Sequence, residues 1–333
     1  MKILITGVAG FIGFHLAKKL LARGFEVIGI DNLSGDLGSN LKRLQNLGIN
    51  GKIDFVNDFE ISYKNFTFKK MDILNFESLK KLFIIHKFDY IIHLAAKTGI
   101  SGSVTEPNKY IETNIMGFNN IIELAQKYKI KKFIYASSSS VYGHNDPHKF
   151  KEKNKTETPL SIYAVTKKAN ELQAYTYSNL YDLTTIGLRF FSVYGPFGRS
   201  DMAPYIFTKN ILEEKEIILN NNGNMWRDFT YIDDVVGIID IILLTEQEDK
   251  YNIYNIGSGN SINIKTLCNI LTKILNKKAI IKNLELIDNK HEMIKTESNN
   301  SLINKKYLYK ELFNTNIYDG LETFTHWYLS NKK

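Results

Sequence analysis

The sequence predicts an α/β fold in which a doubly wound parallel sheet is followed by a smaller C-terminal region. Three observations carry this. Short apolar runs alternate with helical stretches over roughly the first 190 residues. The first apolar run leads straight into glycines at positions 7, 10 and 13. An acidic residue, Asp31, closes the second run. Alternation of this kind argues for parallel strands covered by helices on both faces.

The elements follow in order. Residues Lys2 to Thr6 predict a strand, and Phe11 to Ala22 a helix whose apolar stripe is Ile12, Leu16, Leu20 and Leu21. Gly24 ends that helix and Phe25 to Ile30 is the next strand, which completes a βαβ unit. Residues 32–65 read as an insertion rich in Gly, Ser and Asn. Strands are expected at Phe66–Met71, Tyr90–Leu94, Lys132–Ala136 and Thr184–Phe190, with helices at Phe76–His86, Pro107–Tyr128 and Ile162–Leu180. Beyond residue 192 the alternation loosens. A helix is expected at Ile206–Lys215, a polar turn at Asn220–Asn224, a strand ending in a turn at Tyr254–Gly257, and helices at Asn263–Leu275 and Leu321–Leu329. The expected division is 1–190, with 230–257 returning to it, against 191–229 and 258–333.

Composition narrows the function. The chain has 333 residues, 44% hydrophobic and 23% charged, with a net charge of +8. The basic residues are scattered, and the tight run Lys151–Lys155 contains Glu152, so a solvated loop is expected rather than a nucleic-acid stripe. The longest apolar run, Val235 to Leu244, is too short to span a bilayer and is broken by Asp240. No small-residue cleavage site follows the apolar start, so a strand is expected there and not a signal peptide. The single cysteine, Cys268, sits in an apolar helical pattern, which leaves no internal disulfide and no thiolate metal site. A cytoplasmic protein without a metal is the expectation.

The glycines have separate duties in a Rossmann-like unit. Gly7 permits the tight turn, Gly10 the close approach of a pyrophosphate, and Gly13 close helix packing. Phe11 and Ile12 open the helix whose free N–H groups would face the phosphates. Asp31, with Asn32 after it, stands where an acidic residue accepts the adenosine ribose hydroxyls and repels a 2′-phosphate, so NAD is expected over NADP. Far downstream, Tyr163 and Lys167 lie four residues apart on one helical face. A tyrosine is too weakly acidic to be a base at neutral pH, and a neighbouring ammonium favours its phenolate. The serines at 138, 139 and 140 end the fifth strand, where a hydroxyl can share a hydrogen bond to a substrate oxygen.

The Gly-x-x-Gly-x-x-Gly spacing resembles the extended short-chain dehydrogenase/reductase superfamily, the NAD-dependent epimerases and dehydratases. Asp72-Ile73 after the third strand, His93-Leu94-Ala95-Ala96 after the fourth and Asn114 in the long helix also match it. The resemblance implies adenine contacts at Asp72 and Ile73, a cofactor wall of Leu94, Ala95 and Ala96, and a further cofactor residue at Asn114. It implies catalysis by Ser138, Tyr163 and Lys167, the last two also touching the cofactor. Relatives that dehydrate carry an acid pair after the catalytic hydroxyl. This chain carries Ser139 and Ser140, so oxidation followed by reduction is the simpler chemistry.

Residues 135–143, 161–178 and 188–234 are similar to the UDP-glucuronate 4-epimerases. Carried over by position, Arg199 and Ser192 would hold a sugar carboxylate, Ser139 and Ser140 would line the sugar, and Arg227 would meet the diphosphate of a UDP-sugar. Two segments depart. Thr98-Gly99-Ile100-Ser101-Gly102 stands for the family's Ala-Gly-Val-Arg, with Gly102 read as the place of the missing Arg, and 287–292 replaces Pro-Gly-Asp-Val. The resemblance implies a homodimer through the helices 107–128 and 162–180. A 4-epimerase or C4 oxidase acting on another UDP- or GDP-sugar remains the alternative at this stage, and a non-catalytic NAD-sensing scaffold is a third.

Overall fold

Ile3, Leu4 and Ile5 are fully buried, so the first strand has no polar face and lies inside a sheet. A computed structural model describes residues 1–50, 59–143, 149–246, 249–285, 293–307 and 314–331. In chain order its strands are Lys2–Thr6 (β1), Glu26–Asp31 (β2), Glu60–Tyr63 (β3), Phe66–Lys70 (β4), Tyr90–His93 (β5), Lys132–Ser138 (β6), Thr185–Phe190 (β7), Ser192–Tyr194 (β8), Glu216–Leu219 (β9), Trp226–Tyr231 (β10), Tyr251–Ile256 (β11), Ser261–Asn263 (β12) and Ile280–Asn283 (β13). Its helices are Phe11–Ala22 (α1), Leu37–Asn46 (α2), Phe76–His86 (α3), Ile100–Thr105 (α4), Pro107–Ile111 (α5), Gly117–Lys127 (α6), Ile162–Tyr181 (α7), Ala203–Leu212 (α8), Ile232–Leu244 (α9), Ile264–Leu275 (α10), Ser301–Tyr307 (α11) and Ile317–Ser330 (α12).

The large sheet has eight strands in the order β11-β7-β6-β5-β1-β2-β4-β3. β1 pairs in parallel with β2 on one side and β5 on the other, with Ile5 opposite Gly29 and Ile92. The chain winds outward from β1 through β2 and β4, then crosses to β5 and winds the other way. The strand order therefore reverses between β1 and β5, and ligands of open α/β sheets bind beyond the carboxyl ends of the strands at such a point. Leu4, Ile91, Phe118, Phe133 and Tyr135 belong to one buried cluster beneath it.

This sheet belongs to a compact unit made of Met1–Gly143, Thr156–Arg189 and Ile238–Tyr254. Its α7 starts at Ser161, whose hydroxyl accepts the Ala164 N–H at 3.2 Å, and ends at Asp182 in the left-handed region (φ +58°). Glu171 of α7 and Arg189 of β7 form a buried fork, Nε–Oε1 2.8 Å and Nη2–Oε2 2.9 Å. Ser137 donates to the same carboxylate at 2.7 Å, and the guanidinium lies 4.8 Å from the Tyr142 ring centre. One ion pair thus ties α7 to the end of β6 and the turn that follows. Lys132 opens β6 by donating to the carbonyls of Ile242 at 2.7 Å and Thr245 at 2.6 Å, the C-terminal end of α9, where a cation is favoured.

The second unit takes the remaining described residues, including Phe190–Gly237. Within it β12, β10 and β8 form one small sheet, and β13 and β9 pair in parallel. Asp228 of β10 is fully buried and accepts six hydrogen bonds. Three come from the N–H groups of Ser258, Gly259 and Ser298, and three from the hydroxyls of Ser258, Thr230 and Ser298. Buried carboxylates are tolerated only with such full satisfaction.

Several sequence expectations change. The insertion 32–65 contains α2 and β3, and β3 runs antiparallel to β4. The helix expected at Pro107–Tyr128 is α5 and α6 joined by a π turn, Glu112–Met116. Within this turn the Asn114 carbonyl is taken by the Asn170 side chain. The apolar run from Val235 is part of α9, and no described helix is long and apolar enough to cross a membrane. Residues 149–155 pack in the second unit, with the Phe150 N–H on the Glu297 carbonyl at 2.8 Å. The altered segment 287–292 lies outside the described residues.

Candidate active site

The turn after β1 is built for close approach. Gly7 has φ +73°, and a Cβ there would sit 2.7 Å from the Ala95 nitrogen. A Cβ at Gly13 would lie 2.2 Å from the Gly7 carbonyl oxygen, so α1 presses directly on the turn. Gly10 is the N-cap of α1 and offers no side chain to cap it, and no acidic residue lies in the first turn. The N–H groups at the start of α1, beginning with Phe11 and Ile12, therefore await an anion. That donor set fits a dinucleotide pyrophosphate.

Asp31 sits at the end of β2. Its carboxylate accepts the N–H of Ala9 at 3.1 Å and of Leu33 at 2.8 Å. Burial raises its pKa, while those N–H groups and the nearby Arg43 charge pull it back. Asn32 donates to Asp72 at 2.8 Å, and the Leu74 N–H reaches the other Asp72 oxygen at 2.9 Å. Ile73 beside it is buried. These residues line up along the carboxyl ends of β2 and β4.

Across the switch point, the Leu94 N–H bonds the Thr6 carbonyl at 3.1 Å and the Ala95 N–H the Thr6 hydroxyl at 3.1 Å. The same hydroxyl shares a hydrogen bond with His93 Nδ1 at 2.8 Å. Burial, then the charge of Lys167, pushes His93 down to about 3, and the ring is neutral. Ala96 leads to Lys97, whose N–H and carbonyl are both held by the Asn114 amide, at 2.8 and 3.0 Å. Asn114 also donates to Thr166 at 3.0 Å, and its own carbonyl takes Asn170 at 2.6 Å. Asn114 thus braces the wall beside Ala96 against α7 through both hydrogens of its amide and its main-chain carbonyl.

Ser138 is the last residue of β6, and its Oγ accepts the Ser140 N–H at 3.2 Å. Ser139 is half-buried, and the buried Ser140 hydroxyl has no partner among the described residues. Tyr163 is in the first turn of α7, edge-on to Tyr110 at 6.3 Å between ring centres. Lys167 follows one turn later and donates to the Ala136 carbonyl of β6 at 2.9 Å. Burial alone lowers its ammonium to about 8. The fold therefore brings the end of β6 and the first two turns of α7 together, which is what a hydroxyl, a phenol and an ammonium acting in concert need.

In the second unit, Ser192 opens β8 and Arg227 lies in β10 next to Asp228. Arg227 donates to the carbonyls of Trp226 at 2.9 Å and Ile294 at 3.2 Å. Arg199 grips Asp201 with both Nε, at 2.9 Å, and Nη2. Its fork is already in use on a carboxylate. Gly102 needs correction as the site of the missing Arg. In register, Ala-Gly-Val-Arg falls on Thr98 to Ser101, and a Cβ at Gly102 would stand 2.6 Å from the Tyr110 hydroxyl. Ser101, which is exposed, takes that place.

Sequence reasoning missed the residues that support the site: Arg43, Thr166, Asn170 and the Glu171–Arg189 pair. Thr166 sits inside the Tyr163–Lys167 motif, so its place there was a usable signal. Arg43, Asn170 and Glu171 gave none, since single polar residues in helices are ordinarily solvated, and Arg189 in β7 gave no sign of its partner.

A glycine turn at a strand-order reversal, an acid ending β2 and a Ser-Tyr-Lys set define a dinucleotide-dependent redox site of the extended short-chain dehydrogenase/reductase kind. The chain belongs to the NAD-dependent epimerase/dehydratase family, whose model matches residues 3–257. It is 39% identical over 351 aligned residues to Protein CapI of Staphylococcus aureus, with all of both chains covered. It is 38% identical over 343 residues to UDP-glucuronate 4-epimerase 4 of Arabidopsis thaliana, covering 98% of this chain and 75% of the relative. Among solved structures, UDP-glucuronic acid 4-epimerase from Bacillus cereus in complex with UDP-glucuronic acid and NAD superimposes with a TM-score of 0.88 at 32% identity, covering 99% of each chain.

Proposed function

We propose that the protein is a nucleotide-sugar 4-epimerase that interconverts UDP-glucuronate and UDP-galacturonate by transient oxidation at C4. The observation that carries this reading is the end of β6. Ser138 is followed by two further serines and no acid, so nothing there can protonate and expel a hydroxyl. The relatives with UDP-glucuronate 4-epimerase names support the choice of sugar.

Gly7, Gly10, Gly13, Asp31, Asn32, Asp72, Ile73 and residues 94–96 would hold NAD in the first unit. When bound, NAD accepts a hydride from the sugar's C4 and returns it. Tyr163 takes the O4 proton and later gives it back, and Ser138 shares the hydrogen bond to that oxygen. Lys167 supplies the positive charge that favours the phenolate. The second unit is the substrate-binding region. Arg227 meets the diphosphate, which anchors the sugar while it turns over. Arg199 and Ser192 fix the carboxylate so that the C5–C6 bond stays out of line with the C4 ketone and CO₂ is retained, and Ser139 and Ser140 line the sugar. The pair with Asp201 is no obstacle. Asp201 is 63% exposed, and exchanging one exposed carboxylate for another costs little.

The direct test is incubation with a panel of UDP- and GDP-sugars, with products read by NMR. UDP-galacturonate from UDP-glucuronate without added NAD supports the reading. Turnover of neutral sugars alone, or a keto sugar accumulating with reduced cofactor, rejects it in favour of another epimerase or an oxidase. Arg199→Ala is expected to raise KM for the acidic sugar by roughly 10–100-fold, the worth of hydrogen bonds to a charged group, and to leave neutral UDP-sugars unchanged. The pH profile is a second check. Lys167 loses its charge as pH rises through about 8, so kcat/KM is expected to fall above that pH. An alkaline limb unmoved in Lys167→Arg, which stays charged, would assign it to another group.

A homodimer belongs to the same proposal. Ile111, Met116, Val165 and Leu172 expose apolar side chains on the helices 107–127 and 162–181, the surface a four-helix bundle between two copies would cover. The proposed setting is the cytoplasm, supplying an acidic sugar for polysaccharide synthesis. Sedimentation equilibrium checks the dimer.

A further inference from the structure

We propose that Asp228 is a positioning residue for the substrate: its buried carboxylate fixes the two segments that flank Arg227 and so presets the guanidinium for a diphosphate. This rests on the reading of Arg227 as the diphosphate ligand and not on the identity of the sugar.

Successive side chains of a strand point to opposite faces, so Arg227 and Asp228 stand back to back on β10. Asp228 is fully buried and Arg227 half-buried. Two segments run along β10 at this point. On one side is β12, with Ile262 opposite Arg227. On the other is the stretch 294–298, whose Lys295 bridges Trp226. The Asp228 carboxylate holds both. It takes the N–H groups of Ser258 at 2.7 Å and Gly259 at 3.0 Å, just before β12, and the N–H and hydroxyl of Ser298 at 2.9 and 2.8 Å. Gly257 makes room for this, since a Cβ there would lie 2.8 Å from Asp228 Oδ2 and 2.3 Å from Ser298 Oγ.

The second segment carries the effect to Arg227. The Ile294 carbonyl accepts the Trp226 N–H at 2.9 Å and Arg227 Nη1 at 3.2 Å. The Thr296 N–H returns to the Trp226 carbonyl at 3.1 Å, and that carbonyl also accepts Arg227 Nη1, at 2.9 Å. Both carbonyls that aim this nitrogen therefore belong to one short ladder, whose far end is the contact of Ser298 with Asp228. A long, flexible side chain binds weakly unless its head group is already oriented, and a planar fork meets a diphosphate in one geometry. Asp228 supplies that orientation from the opposite face of the strand, without touching the substrate.

The test is a double-mutant cycle on the binding of UDP to the holoenzyme, measured by calorimetry, with bound NAD quantified after denaturation. UDP carries the diphosphate and lacks the sugar. Arg227→Ala should weaken UDP by about 10–100-fold, the worth of hydrogen bonds to a charged group. Asp228→Asn should weaken it about tenfold, because an amide NH₂ cannot accept the N–H groups that one carboxylate oxygen now takes. The same variant should raise KM for UDP-glucuronate far more than it lowers kcat, with NAD occupancy unchanged. In the Arg227→Ala background, Asp228→Asn should cost less than about twofold more, since it acts through the arginine. Ser298→Ala, which leaves the carboxylate in place, should give the same pattern at about threefold, and it carries the test if Asp228→Asn does not fold. Additive losses in the cycle overturn the proposal, since they are the mark of a purely structural residue. So does UDP affinity unchanged in both Asp228→Asn and Ser298→Ala. Unchanged affinity in Arg227→Ala overturns the diphosphate reading itself, and the proposal with it.

Discussion

Tyr163→Phe is expected to abolish epimerisation, by about 10²–10⁴-fold at the least, while the protein stays folded and retains NAD. In the proposed mechanism the phenolic oxygen takes and returns the sugar's O4 proton. The ring stays in place without it, because Tyr163 packs edge-on against Tyr110 and the helix is started by Ser161, not by the hydroxyl. Lys167 remains anchored on the Ala136 carbonyl. The measurement is product formation from UDP-glucuronate by NMR, with bound cofactor quantified after denaturation. Turnover near the wild-type rate would remove Tyr163 from the mechanism. Loss of bound cofactor alongside activity would show that the hydroxyl serves binding instead.

Glu171→Gln is expected to destabilise the first unit by about 3–5 kcal/mol, because it leaves the Arg189 charge buried without its partner. The two side chains are 1% and 3% exposed, so water cannot replace the lost oxygen. Ser137 loses its charged acceptor at the same time. For a protein of this size the melting temperature should fall on the order of 10 °C. The effect should reach the chemistry as well. Ser137 precedes Ser138, and Glu171 lies one turn after Lys167, so a few-fold drop in kcat is expected beyond the lost stability. Replacing both partners with methionines should restore most of the stability, because apolar filling removes the desolvation cost of both charges. If the double variant is as unstable as the single one, the pair contributes through geometry that apolar residues do not supply.

The cofactor half of the site was legible in the chain because its determinants are local. Gly7, Gly10, Gly13 and Asp31 are spaced by one βαβ unit, and Tyr163 and Lys167 by one helical turn. The inner strands β1, β2, β5, β6 and β7 of the first unit could be placed because they are buried on both faces and read as continuous apolar runs. The short strands β8, β9, β12 and β13 carry no such run, and their pairing depends on partners far along the chain. The contacts of Asn114 were hidden for a related reason, since nothing in its neighbours predicts that Lys97, Thr166 and Asn170 will take its polar atoms. The resemblance offers Arg199 as a carboxylate ligand, whereas its engagement with Asp201 is not readable from the chain.

The sequence by itself determined the class of fold, the glycine turn, the acid that ends β2 and the phenol-ammonium pair, all set by periodicities and spacings within about thirty residues. Only the tertiary structure decided what holds them in register. It buried Arg43 against Ala9, joined Asn114 to two segments 17 and 52 residues away, and closed Glu171 on Arg189. Those contacts become favourable only once the sheet has removed water from them. An isolated stretch of chain, where each of these groups is solvated, carries no sign of them.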